Sequence, residues 1–334
     1  MSASRIVFED IESSALRGNP LGDPHIRKLP VYLPPGYDGN AERYPSVYLL
    51  AGFTGTGKGM LNEQCWEENI QQRLDRLIQT KEIRPMIAIL PDAMTRYGGS
   101  QYLNSSATGN YADYLLEIVK FVDQKFRTIS DSNYRAVTGH SSGGYGALIT
   151  GMRHPEIFGL VADRSGDKYF EFVYKMDFPK VLRALDRFKD PAKVLKDPAA
   201  IRPRGGDFFA FMNMAAMSAC YSPNPNAPLG FDFPFQFRTG ELREDIWQKW
   251  QALDPVNLVQ KHADNLHKLR LLYLECGTRD EYFIHYGCRI LVEKLNALDI
   301  PHCYVEFDDG HSGVSYRYDV TLRAICHAMP EDAP

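Results

Sequence analysis

No stretch of this 334-residue chain approaches the roughly 18 consecutive apolar residues that a membrane-spanning helix requires. The opening segment, Met1 to Asp10, also lacks the apolar core of a secretory signal, so cytoplasmic residence is the expectation. Positive charge is not in surplus. Lys and Arg number 38 against 42 Asp and Glu, a net charge of −4, which leaves no electrostatic footprint for nucleic acid or an anionic membrane. The six cysteines form no Cys-x-x-Cys pair, which argues against a zinc knuckle or a dithiol redox centre and reads as free thiols. No repeat or low-complexity tract interrupts the chain. What is present suffices for a large core: 44% of residues are apolar and 12% aromatic, which excludes disorder as the main state. The length suits two domains or one large α/β domain.

Short apolar runs alternate with helical patterns, and this order predicts an α/β fold with a mostly parallel central sheet and helices on both faces. Ser46 to Leu50, Met86 to Leu90, Tyr134 to Thr138 and Phe158 to Ala162 read as buried strands. Trp66, Ile70, Leu74, Leu77 and Ile78 recur at helical spacing, as do Tyr111, Leu115, Ile118, Val122 and Phe126. A further helix is expected from about Ser142 to Arg153. Towards the C-terminus, strands at Leu269 to Glu275 and Cys303 to Phe307 alternate with helices at Ile284 to Leu298 and about Tyr316 to His327. The first 45 residues suggest additional strands joined through the turn Leu33 to Gly39.

The alternation fails between Lys168 and Trp247. Two helical patterns, Pro179 to Phe188 and Phe208 to Cys220, precede a turn-rich segment and an aromatic run, Phe231 to Phe237. The division expected is a core of residues 1–167 and 248–334, with 168–247 inserted as a helical cap. Open α/β sheets bind ligands at the carboxyl ends of their strands, so such an insertion would roof a pocket there. Phe208, Phe209, Phe211, Phe231, Phe233, Phe235 and Phe237 would suit an apolar or aromatic ligand, or simply pack together.

Gly139-His140-Ser141-Ser142-Gly143 joins an expected strand to an expected helix. A serine at such a turn projects its hydroxyl above the sheet, and the flanking glycines let strand and helix approach closely. A serine hydroxyl needs a base to take its proton and an acid to orient that base. Nucleophile-elbow folds order these as serine, acid, histidine. The strand ending at Glu275 leads into Asp280, and the one ending at Phe307 leads into His311, so both follow the carboxyl end of a strand, as Ser141 does. Rivals are Glu281 and Asp92 for the acid, and His140, His285 and His302 for the base. The oxyanion would be held by the backbone N–H groups of Ser142 and Phe53, the latter in the glycine-rich loop Ala51 to Gly57. That loop also reads Gly52-x-x-x-x-Gly57-Lys58-Gly59, one residue short of a phosphate-binding P-loop, with Asp92 as a magnesium-binding acid. Gly59 stands where a Ser or Thr hydroxyl would be needed, and that reading leaves Ser141, Asp280 and His311 unexplained.

Val31-Tyr-Leu-Pro-Pro-Gly-Tyr37, Tyr44 to Thr54, Gly139 to Gly144, Gly277-Thr-Arg-Asp280 and Gly310-His311 resemble the putative-esterase family of α/β-hydrolases. That family includes esterase D (S-formylglutathione hydrolase) and enterochelin-esterase-like enzymes. The resemblance implies a serine hydrolase with the triad Ser141, Asp280 and His311, a small-molecule ester substrate, and no metal or cofactor. Two departures stand out: Ala51-Gly52 replaces the His-Gly of many relatives, and the insertion looks longer than in esterase D. The thioester substrate is therefore not carried over. A carboxylesterase is the expectation, with an acyltransferase on the same triad and a non-catalytic binding protein as alternatives. Pairing of two chains into a homo-oligomer is left open.

Overall fold

The computed structural model describes residues 3–331, so Met1 and Ser2 of the N-terminal segment lie outside it. Eight strands form the main sheet: β1 (Arg5–Glu12), β2 (Ile26–Leu33), β3 (Ser46–Leu50), β4 (Ile87–Ile89), β5 (Arg135–His140), β6 (Leu160–Arg164), β7 (Leu271–Gly277) and β8 (Cys303–Phe307). Their spatial order is β1-β2-β4-β3-β5-β6-β7-β8. β1 and β2 are antiparallel, β2 runs antiparallel to β4, and every pairing from β4 through β8 is parallel. The α/β-hydrolase fold expected from the sequence is the one observed.

Helices α1 (Ile70–Gln79), α2 (Tyr111–Lys125) and α3 (Ser142–Arg153) connect strands of the first half. Between β6 and β7 lie α4 (Phe178–Phe188), α5 (Gly206–Tyr221) and α6 (Glu244–Gln251), with shorter helical turns from Phe170 onward and as far as Leu266. α7 (Ile284–Ala297) and α8 (Tyr318–Ala328) complete the chain. One face of the sheet packs against Ile70, Leu74 and Leu77 of α1 and Leu322 and Ile325 of α8. The other packs against Ile118 and Val122 of α2, Leu148 and Met152 of α3, and Leu291 and Leu295 of α7. Each such buried side chain contributes roughly 1.5–3 kcal/mol. Among the described residues no helix is long and apolar enough to cross a membrane.

Two expectations need correction. Trp66 is not on α1 but stands before it, 96% exposed. The Asn69 side chain accepts the Gln72 N–H and the Gln72 side chain accepts the Asn69 N–H, so this capping box starts the helix after Trp66. The strand expected from Phe158 begins two residues later, because Gly159 donates to Ser132 and the Phe158 ring turns edge-on to Tyr48, 5.2 Å away. The cap aromatics mostly face one another. Phe211, Phe231, Phe233 and Phe235 are buried in mutual ring contact, and of the seven only Phe209 reaches the cavity described below.

Candidate active site

β5 ends the strand pair that fixes Ser141. Leu50 of β3 lies opposite Gly139 and Arg164 of β6 opposite His140, so three strand ends converge on the turn. Ser141 adopts φ 58 and ψ −127, a conformation that costs a non-glycine residue about 1–3 kcal/mol and persists only where its surroundings enforce it. Its N–H donates to the Arg164 carbonyl at 3.0 Å, and its carbonyl accepts the Tyr145 N–H at 2.9 Å. The glycines are demanded by backbone approach. A Cβ on Gly143 would lie 2.1 Å from the Leu50 carbonyl oxygen, and one on Gly139 would lie 2.5 Å from the Gly143 backbone. Gly143→Ala is therefore expected to cost at least about 1–3 kcal/mol in a urea-unfolding measurement. Gly205→Ala, with nothing within 4 Å of the added methyl, should stay within about 0.5 kcal/mol of the parent.

His311 follows β8, and its Nδ1 lies 2.7 Å from Asp280 Oδ2. Both side chains are nearly inaccessible, at 6% and 2% exposure for the residues. Asp280 Oδ1 accepts the Tyr282 N–H at 2.9 Å, and the Cys276 thiol lies 3.7 Å from Oδ2. The imidazole has an aromatic ring on either side, His140 at 4.6 Å and Tyr282 at 4.8 Å between ring centroids. Beneath this, Arg164 donates to Glu275 at 3.0 Å and to the Val314 carbonyl at 2.7 Å, while Arg317 donates to Glu275 at 2.7 Å. This buried cluster ties β6 and β7 to the loop that carries His311. Breaking one member of such a cluster typically costs about 3–5 kcal/mol.

Ser141 and His311 line one cavity of about 560 Å³. Asp280 lies behind His311, outside the lining. Gly52 and Phe53 form the adjoining wall, and a Cβ on Gly52 would lie 3.1 Å from the His140 carbonyl and 3.4 Å from Ser141 Cβ. The Phe53 N–H has no acceptor among the described residues, and Ser142 is the first residue of α3, where an N–H has no partner within the helix. Val173, Tyr174, Phe209 and Asn213 of the inserted segment also line the cavity.

Of the rivals, His140 also lines the cavity, and the others stand outside its lining. Glu281 accepts the backbone N–H of His311 at 2.7 Å, so it holds the loop and not the ring. Asp92 caps Met94 and pairs with Arg27 at 3.4 Å. His302 Nδ1 lies 2.8 Å from the Ile300 carbonyl, and the His285 ring lies tilted against Tyr286, 4.2 Å between centroids. Burial, reinforced by His311 and Arg164, pushes the His140 imidazole well below its usual range, so it stays neutral beside His311. Loss of turnover in His311→Ala, with most of it kept in His285→Ala, is the expected outcome of a paired ester assay; the reverse pattern would transfer the base to His285. The P-loop reading does not fit the geometry. A single 3-10 turn, Lys58–Leu61, follows Gly57, and exposed Lys58 points to the Phe8 ring, 6.0 Å away. Among the described residues no three His, Cys, Asp or Glu side chains converge as metal ligands would.

The sequence reading missed Asp167, Asn213 and Tyr282 in this cavity. Asn213 had a visible signal, as the one side-chain amide in the apolar run from Phe208 to Cys220. Asp167 and Tyr282 had none, because only the folded loops bring them to the cavity.

A family model described as "Putative esterase" matches residues 24–293. An endo-1,4-beta-xylanase/feruloyl esterase of Xylanibacter ruminicola is 32% identical over 146 residues, which is 42% of this chain and 19% of that protein. The chain spans only 19% and 58% of the length of two curated relatives it matches. Among solved structures, a ferulic acid esterase superposes with a TM-score of 0.62 at 20% identity, covering 98% of this chain and 100% of the other. An S-formylglutathione hydrolase from Agrobacterium tumefaciens gives a TM-score of 0.59 at 17% identity, covering 99% and 97%. At these identities the structural likeness is one of fold.

Proposed function

The chain belongs to the putative-esterase family of α/β-hydrolases, and from that premise we propose that it hydrolyses carboxylic esters through an acyl-enzyme on Ser141. The observation that carries this reading is the meeting, at one cavity, of a strained serine turn and a histidine 2.7 Å from a buried carboxylate. Ser141 Oγ attacks the ester carbonyl as His311 takes its proton. The imidazolium then protonates the leaving alcohol, and Asp280 holds the tautomer with Nδ1 protonated and Nε2 free. Water deacylates the serine by the same route with the roles reversed. The N–H groups of Phe53 and Ser142 bind the oxyanion, and each such donor is worth about 3–4 kcal/mol in the transition state.

The segment 168–247 acts as the cap, supported by the four side chains it contributes to the cavity. Phe209 stands edge-on to Phe53, 5.5 Å between centroids, which supports an apolar or aromatic substituent beside the reacting carbonyl. The six free thiols support residence in a reducing compartment, the cytoplasm. The test is a panel of carboxylic esters and thioesters, with products analysed in the presence and absence of an added alcohol. Free acid as the main product supports hydrolysis. A new ester as the main product would mean acyl transfer, and no turnover of any substrate would remove the enzyme reading.

A further inference from the structure

The ester mechanism leaves several polar side chains of the cavity without a role, among them Glu67, Arg164, Asp167, Asn213 and Ser312, and two of these, Asp167 and Asn213, border one network. Asp167 lies three residues past β6 and is 7% exposed. Its Oδ2 accepts from Gln101 Nε2 at 2.9 Å and from the Tyr174 hydroxyl at 2.8 Å. Behind these, Gln101 Nε2 also donates to the Tyr221 hydroxyl at 2.6 Å, and the Tyr174 and Tyr221 oxygens are 3.2 Å apart. Two donors therefore fix one carboxylate oxygen, while Oδ1 takes no hydrogen bond from any described residue. The residue itself lines the cavity that holds Ser141. A carboxylate oxygen in this state at a cavity wall is left to water or to a ligand.

The second side chain is Asn213, which lines the same cavity and makes no hydrogen bond among the described residues. Phe209, Asn213, Met217 and Tyr221 follow one another at intervals of four along α5, so they share a face. Met217 accepts from the Tyr174 hydroxyl at 3.4 Å, and Tyr221 joins the network around Asp167. Asn213 thus stands one helical turn from the Asp167 network, on the face that packs against it.

We infer that this corner of the cavity recognises a hydroxyl group on the ester, which donates to Asp167 Oδ1 and accepts from the Asn213 amide. The inference rests on the esterase reading and deepens it by naming a substrate class. A hydroxyl offers one donor and an acceptor, matching an open carboxylate oxygen and an open amide. Two other charged side chains line the cavity, Arg164, which shares Glu275 with Arg317, and Glu67, which accepts from Ser315, so the cavity's charge does not single out an ammonium group. A plain hydrocarbon would leave both polar groups unsatisfied.

Two substrate pairs test this and separate the halves of the ester. The acyl pair is the methyl esters of phenylpropanoic acid and its para-hydroxyl analogue. The alcohol pair is butyl acetate and its terminally hydroxylated analogue. The hydroxylated member of one pair should have a kcat/KM higher by at least about tenfold. That ratio should fall towards one in Asp167→Ala and in Asn213→Leu, the latter placing an apolar side chain on an apolar helix should the former fail to fold. Equal rates within both pairs, a preference that survives both substitutions, or a stronger preference for a para-aminomethyl analogue would overturn the inference. In each of those cases the wild type still turns over esters, so the esterase reading stands. Absence of all turnover, with no labelling of Ser141 by a fluorophosphonate, would instead be failure of the reading beneath it.

Discussion

Ser141→Ala is expected to lower kcat for ester hydrolysis by about 10⁴–10⁶-fold with little change in KM. In the proposed mechanism the hydroxyl is the attacking atom, so its loss removes the covalent route and leaves only what the oxyanion donors and substrate binding supply. The fold should be unaffected. The positive φ at this position is enforced by the Arg164 carbonyl and the Tyr145 N–H through Ser141's backbone, and alanine keeps the same Cβ. His311→Ala should reach a similar floor, and the double substitution should fall no further, because groups that act as one unit are not additive. A double variant slower than either single one by the product of both losses would mean that the two residues act independently. Steady-state kinetics on one chromogenic ester, with thermal unfolding curves for each variant, decides this.

Asp280→Asn is expected to lower kcat by about 10⁴-fold although it changes no more than an oxygen to an amide nitrogen. Asp280 Oδ2 lies 2.7 Å from His311 Nδ1, and in the proposed mechanism it accepts the proton there, which leaves Nε2 free to receive the serine proton. Its other oxygen is held by the Tyr282 N–H at 2.9 Å, so an asparagine would keep its carbonyl there and aim its amide donor at His311. The ring would then carry its proton on Nε2 and could not act as a base. Glu281→Gln is the matched comparison. It keeps an oxygen to accept the His311 backbone N–H and should keep most of the turnover. Equal losses in the two variants would point to disturbance of the loop and away from tautomer control.

The sheet was legible because its inner strands are buried on both faces and read as continuous apolar runs. Ser46 to Leu50, Cys303 to Phe307 and the helix Ser142 to Arg153 have the bounds expected of them. Trp66 was misplaced because its spacing suited a helix that a capping box prevents from starting there. Chain order and strand ends pointed to Ser141, Asp280 and His311, since each follows a strand whose carboxyl end faces the same edge. The same logic pointed to the loop after β3, whose Phe53 lines the cavity. Asp167 was not, because its role depends on Gln101 and Tyr221, 66 residues before it in the chain and 54 after it. The cap phenylalanines pack mostly on one another, one of the two readings their composition allowed, and only packing decides which of them, Phe209, turns to the cavity.

The central claim is that Ser141 is an activated nucleophile, and the most direct measurement is the intact-protein mass after exposure to a fluorophosphonate. One adduct on the wild type, located at Ser141 by peptide mapping and absent from Ser141→Ala, is the predicted result. A folded wild type that takes no adduct, or an adduct of equal extent on Ser141→Ala, would contradict it.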